Sequence, residues 1–137
     1  YDGGPGASAI TLFGGGGTIV NDGEIRSTGY GVFVYSSTVT VANTIINNGI
    51  ISGESGVESR GDTATVLHLI NTGTIVGGEK SYGELAVQNA TTSTKELITN
   101  TGLMQGDIYL TGGDDTYNGQ FGTVRGIVSG GNGTDKI

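Results

Sequence analysis

Apolar and polar positions along this chain fall into a pattern that occurs four times: two apolar or β-branched residues, an Asn-x-Gly step, then an apolar residue four positions after the Asn. The copies are Ile19-Val20-Asn21-Asp22-Gly23-Glu24-Ile25, Ile45-Ile46-Asn47-Asn48-Gly49-Ile50-Ile51, Leu69-Ile70-Asn71-Thr72-Gly73-Thr74-Ile75 and Ile98-Thr99-Asn100-Thr101-Gly102-Leu103-Met104. Successive Asn residues stand 26 (47 − 21), 24 (71 − 47) and 29 (100 − 71) positions apart. A unit of this size built from strand-like runs predicts a solenoid. No stretch between the copies sustains a helical spacing of apolar residues, and Val, Ile, Thr and Gly are favoured over Ala and Leu.

A third strand per turn is expected at Gly31-Val32-Phe33-Val34-Tyr35, Leu85-Ala86-Val87 and Asp107-Ile108-Tyr109-Leu110. The expected fold is therefore all-β, a β-solenoid of about five coils, each made of three short strands joined at Gly and Asn corners. Both residue types tolerate left-handed backbone angles, which suits them to corners. Ile25, Ile51, Ile75 and Met104 fall in the register of stacked core residues. Equivalent positions on successive coils lie about 4.8 Å apart, so the amides of Asn21, Asn47, Asn71 and Asn100 are placed to bond along the axis as a ladder. Asn-x-Gly also opens hairpins in antiparallel sheets, but the constant phase of the flanking residues over four copies favours the solenoid.

The ends depart from this unit. In residues 1–17, Gly-rich runs bracket one short strand candidate, Ala7-Ser8-Ala9-Ile10-Thr11-Leu12-Phe13. It reads either as a degenerate first coil or leader, or as a mobile strand on Gly hinges that pairs with an edge elsewhere. Residues 18–109 hold the Asn-x-Gly coils, and residues 110–137 are rich in Gly and Asp. Gly130-Gly131-Asn132-Gly133-Thr134-Asp135-Lys136-Ile137 fits the pattern Gly-Gly-x-Gly-x-Asp-x-apolar, and Gly112-Gly113-Asp114-Asp115-Thr116-Tyr117 is a partial copy. Such turns present carbonyl and carboxylate oxygens, the ligands Ca²⁺ prefers, which makes Gly113, Asp114, Asp115, Gly131, Gly133 and Asp135 candidate metal ligands and calcium the candidate cofactor. The Asp115 to Asp135 separation of 20 (135 − 115) departs from a repeat of nine, and plain turn chemistry is the other reading.

Composition narrows the class. The 137 residues include 28 Gly and one Pro, far from average usage, and suit a single domain. A net charge of −7, with only six scattered Lys and Arg residues, argues against nucleic acid or anionic membranes as partners. With no Cys there is neither a disulfide framework nor a thiolate site. The apolar runs are too short to span a membrane as helices, and a start at Tyr1 suits a processed or excised segment.

The Asn-x-Gly coils, followed by Gly-Gly-Asp-Asp-Thr-Tyr, Gly-Thr-Val and Gly-Gly-x-Gly-x-Asp, resemble the passenger regions of Gram-negative autotransporter adhesins and related repeats-in-toxin proteins over roughly residues 18–137. The resemblance implies a right-handed parallel β-helix, export to the cell surface or medium, and a role as stalk, adhesin or matrix component.

Catalysis has little support. His68, in Val66-Leu67-His68-Leu69-Ile70, is the only histidine, placed by alternation opposite its apolar neighbours as an exposed strand residue. Neither a nucleophile elbow nor a triad spacing occurs. Glu54, Glu58 and Arg60 read as solvated charges on a lateral loop rather than as a glycosidase site. Tyr30 and Tyr35 are candidates for a glycan-binding surface. Thr38-Val39-Thr40 and Thr91-Thr92-Ser93-Thr94 do not recur at one position in every coil, as an ice-binding lattice requires. Two non-catalytic expectations remain: a subunit whose ends stack head to tail into a fibre or matrix, with Ala7–Phe13 as assembly strand, and an adhesin segment that binds a glycan or host ligand through a lateral face.

Overall fold

The computed structural model describes residues 7–36, 41–61, 67–80, 83–90 and 94–137; Thr38–Thr40, Thr91–Ser93 and Tyr82 lie outside them. The strands succeed one another in sets of three. They are β1 (Ser8–Phe13), β2 (Thr18–Asn21) and β3 (Glu24–Arg26); β4 (Tyr30–Ser36), β5 (Asn43–Asn47) and β6 (Ile50–Gly53); β7 (Ser55–Gly61), β8 (Leu67–Asn71) and β9 (Thr74–Gly77). After the two-residue β10 (Glu79–Lys80) come β11 (Gly83–Asn89), β12 (Glu96–Asn100) and β13 (Leu103–Gln105), then β14 (Asp107–Tyr109), β15 (Thr116–Asn118) and β16 (Thr123–Arg125), and last β17 (Val128–Ser129). Members of each set go to different sheets. The first sheet runs β1-β4-β7-β11-β14-β17, the second β2-β5-β8-β12-β15 and the third β3-β6-β9-β13-β16. All these pairings are parallel, and only β10 pairs antiparallel, with β11. The chain is thus a parallel β-helix, with no helix among the described residues long and apolar enough to cross a membrane.

Sequence spacing sets the pairing register. Asn21 pairs with Asn47, Asn47 with Asn71 and Asn71 with Asn100, so the intervals between motifs are the lengths of the coils. Beyond Asn100 the coils shorten: Met104 pairs with Val124 and Ile108 with Val128, 20 positions on in each case (124 − 104, 128 − 108). That is also the spacing of Asp115 and Asp135.

In-register stacking puts like on like inside. Ile45, Leu69 and Ile98 of the second sheet, Ile51, Ile75 and Met104 of the third, and Val32, Val57, Val87 and Ile108 of the first are all fully buried in one core cluster. Each such side chain contributes about 1.5–3 kcal/mol on leaving water. Small residues face the bulky ones across a corner: a Cβ on Gly31 would run into Ile51, and one on Gly56 into Ile75.

One segment differs from expectation, and another takes the first-coil place that one of its two readings gives it. Glu58 and Arg60 lie not on a lateral loop but inside β7, flanked by β4 and β11, and Glu58 is buried. Ala7–Phe13 has the place of a first-coil strand on its own body: β1 pairs with β4 from Ser8–Tyr30 to Phe13–Tyr35, and the Phe13 ring meets Tyr35 edge-on at 6.0 Å.

Candidate functional site

The four motif asparagines point inward at the corner between the second and third sheets and bond one another. Asn21 Nδ2 donates to Asn47 Oδ1 at 2.7 Å, Asn47 Nδ2 to Asn71 Oδ1 at 2.8 Å, and Asn71 Nδ2 to Asn100 Oδ1 at 2.8 Å. Each of these amides also donates to a carbonyl at the start of the third-sheet strand one coil on, at Ile50, Thr74 and Leu103. The ladder stops at a tyrosine: Asn100 Nδ2 lies 3.3 Å from Tyr117 Oη, and a Cβ on Gly119 would overlap the Tyr117 ring. Burial raises the Tyr117 phenol above its ordinary value, so it stays neutral.

Glycine serves these corners for a reason other than the expected one. Gly23, Gly49, Gly73 and Gly102 have no left-handed φ. A Cβ on Gly49 would instead overlap the Gly23 backbone, one on Gly73 the Gly49 carbonyl, and one on Gly102 the Gly73 carbonyl. Close stacking of backbone on backbone excludes a side chain at Gly49, Gly73 and Gly102, while a Cβ on Gly23 meets nothing within 4 Å. Left-handed glycines are found at the Gly/Asp-rich end, at Gly113, Gly131 and Gly133.

A second column runs along the corner where the chain enters the second sheet: Asn43, Leu67, Glu96, Asp115 and Asp135. Three of its members do one job. Asn43 Oδ1 accepts the Gly17 N–H at 3.0 Å, Asp115 Oδ1 the Glu96 N–H at 2.8 Å, and Asp135 Oδ1 the Asp115 N–H at 3.0 Å. Asp114 Oδ1 likewise accepts the Thr134 N–H at 2.9 Å. The candidate calcium turns are therefore brought together one coil apart, with Gly113 N donating to Asn132 O. One oxygen of each of these carboxylates accepts a backbone N–H, and among the described residues no three His, Asp or Glu side chains converge there.

Glu96 escaped sequence reasoning, although it stands four positions before Asn100 as Asn43 and Leu67 stand before Asn47 and Asn71. Its carboxyl is fully buried, accepting from Asn89 Nδ2 at 2.8 Å and from Ser59 Oγ at 3.3 Å. Burial, then the charge of Asp115, push its pKa up to about 8. Asp115 is buried as well, and burial raises its pKa against the opposing effect of its bonds from Glu96. Among the described residues, Asp115 Oδ2 is buried with no hydrogen-bond partner. Burial first, and the nearby Asp115 charge second, favour the neutral acid form of Glu96.

On the outer face of the first sheet, Tyr30 stacks on Phe33 at 5.5 Å, and Arg60 covers both rings while pairing with Glu58 at 2.5 Å. Tyr30 is buried in this cluster, which removes it as an open platform for a sugar. The outer face of the second sheet is different. Alternation turns Thr18 and Val20, Thr44 and Ile46, His68 and Ile70, Leu97 and Thr99, and Thr116 and Asn118 outward, in register and without a charged residue. His68 is half-buried there, between Thr44 and Leu97.

Comparison with protein-family models, with curated proteins and with solved structures finds no match to this chain.

Proposed function

We propose that this chain is a non-catalytic structural subunit that assembles head to tail into an extracellular or cell-surface fibre. The observation that carries the reading is the state of the two ends. Among the described residues, β1, β2 and β3 at one end each pair on one side only; at the other β16 and β17 do the same, while β15 is covered only near Thr116 by a bridge to Lys136. Ile10, Leu12, Ile19 and Ile25 at the first end, and Val124 and Val128 at the second, are only partly buried against the core. Unpaired parallel edges over an incompletely covered core favour another β layer of the same geometry, and an identical subunit supplies one. The contact is heterologous, and stacked along the coil axis it yields an open filament when it does not close into a ring. In this reading Ala7–Phe13 takes part through its free edge, next to β17 of the following subunit. Calcium is not needed for it.

Sedimentation velocity and negative-stain microscopy of the purified chain, with calcium and with chelator, test the proposal. The expected result is concentration-dependent growth into unbranched filaments in both conditions. A chain that stays monomeric at high concentration in both overturns it.

A further inference from the structure

We infer that the outer face of the second sheet is a lateral docking surface for the same face of a second copy, so that fibres pair side by side; this rests on the head-to-tail reading. Val20, Ile46 and Ile70 form a line across three neighbouring strands, with Leu97 beside them, and Val20 and Leu97 are 58% and 37% exposed. Parallel sheets are as a rule covered on both faces, and among the described residues this one is covered on the inner face only.

Charge selects the partner. Docking through a charged face takes its charges and ion pairs out of water, which is costly. The third sheet bears Glu24, Arg26 and Arg125, and the first bears Glu58, Arg60 and Asp107. The ten outward positions of the second sheet bear no Asp, Glu, Lys or Arg. Packed against its own copy, this face brings apolar and threonine side chains together about 10 Å apart, sheet to sheet, with no charge desolvated.

Area decides how strong such a contact is. Five strands about 4.8 Å apart and about 16 Å long give roughly 400 Å² per copy, or about 800 Å² in all. A specific pairwise complex buries upwards of roughly 1,200 Å². Two isolated subunits therefore separate readily, whereas faces arrayed along a fibre engage one after another at high effective concentration. Pairing belongs to the fibre and not to the monomer.

The test uses the full chain, which has no Cys of its own. His68→Cys places a thiol on β8, the central strand of the face, and Gln105→Cys places one on the third sheet as a control. Under mild oxidation of assembled fibres, His68→Cys should give at least about tenfold more disulfide-linked dimer than Gln105→Cys. Ile70→Lys and Thr99→Lys, at outward positions, should leave single fibres where the parent chain forms paired ones under the microscope. Paired fibres in both Lys variants, or equal cross-linking at the two Cys positions, overturn this inference and leave the fibre intact. Absence of any fibre from the parent chain overturns both. Loss of pairing only after a glycan or host protein is removed from the sample assigns the face to that ligand and overturns self-docking.

Discussion

Asn47 is the middle of a buried amide chain, and each of its neighbours depends on it for a partner. Asn47→Ala leaves Asn71 Oδ1 and the Thr74 carbonyl short of a donor in a place water does not reach, and should cost about 3 kcal/mol in chemical denaturation. A cost below about 1 kcal/mol would mean that the ladder is ornamental. Glu96 offers a different readout. Its pKa rises from an ordinary 4.5 to about 8 on folding, so the folded chain holds a proton that the unfolded chain has released. The stability this supplies is complete below about pH 4.5 and falls with rising pH, by up to about 1.4 kcal/mol per unit for one proton, until pH passes about 8. Glu96→Gln imitates the neutral acid: its amide can donate to Asp115 while its carbonyl accepts from Asn89. The variant should flatten the stability profile between pH 5 and pH 8 and exceed the parent at the alkaline end. Parallel profiles for the two proteins would show that Glu96 is not the group holding the proton.

Strands and corners carry their own tests, because stacking makes one motif position behave differently from coil to coil. A Cβ on Gly49 or Gly73 meets backbone of the preceding coil, while one on Gly23 meets nothing within 4 Å. Gly49→Ala and Gly73→Ala should therefore cost upwards of about 3 kcal/mol, and Gly23→Ala less than about 0.5 kcal/mol, as measured by thermal and urea unfolding. Equal costs would remove close backbone stacking as the reason for glycine. The Gly/Asp turns are argued in the same way. Asp135→Asn keeps the oxygen that accepts the Asp115 N–H and should melt near the parent, whereas Asp135→Ala loses it and should melt lower. Calcium should leave the melting temperature of the parent unchanged; a calcium-dependent rise that Asp135→Ala abolishes would return these residues to ion binding.

Across the whole molecule, stability is a sum over coils and the contacts between them, with the core running unbroken along the axis. Ile75 is fully buried between the coils of Ile51 and Met104. Ile75→Asp puts an unpaired charge there, at a cost of several kcal/mol, comparable with the roughly 5–15 kcal/mol that holds a domain together. Circular dichroism should show loss of the folded signal across the chain, while a cooperatively folded variant would remove Ile75 from the axis.

Strand positions, coil lengths and the amide ladder were legible in the sequence. In a parallel, in-register stack the distance between equivalent residues along the chain is the pairing register itself, and a side-chain period of two fixes which residues face inward. The shorter coils were legible too, in the spacing of Asp115 and Asp135, although a turn repeat of nine was the comparison first brought to it. Other features were decided only by contacts between coils. β7 carries one large apolar residue, Val57, and is a strand because β4 and β11 hold it on both sides. Glu58 and Tyr30 are buried because Arg60 and Phe33 close over them. Tyr117 ends the ladder because its ring takes the space beside Gly119. Glu96 is pushed toward the neutral acid by burial between coils and then by the charge of Asp115 one coil away. Local propensity and period are written in neighbouring residues, but burial, protonation and the room for a Cβ depend on what the next coil places against them, some 19 to 30 positions along the chain.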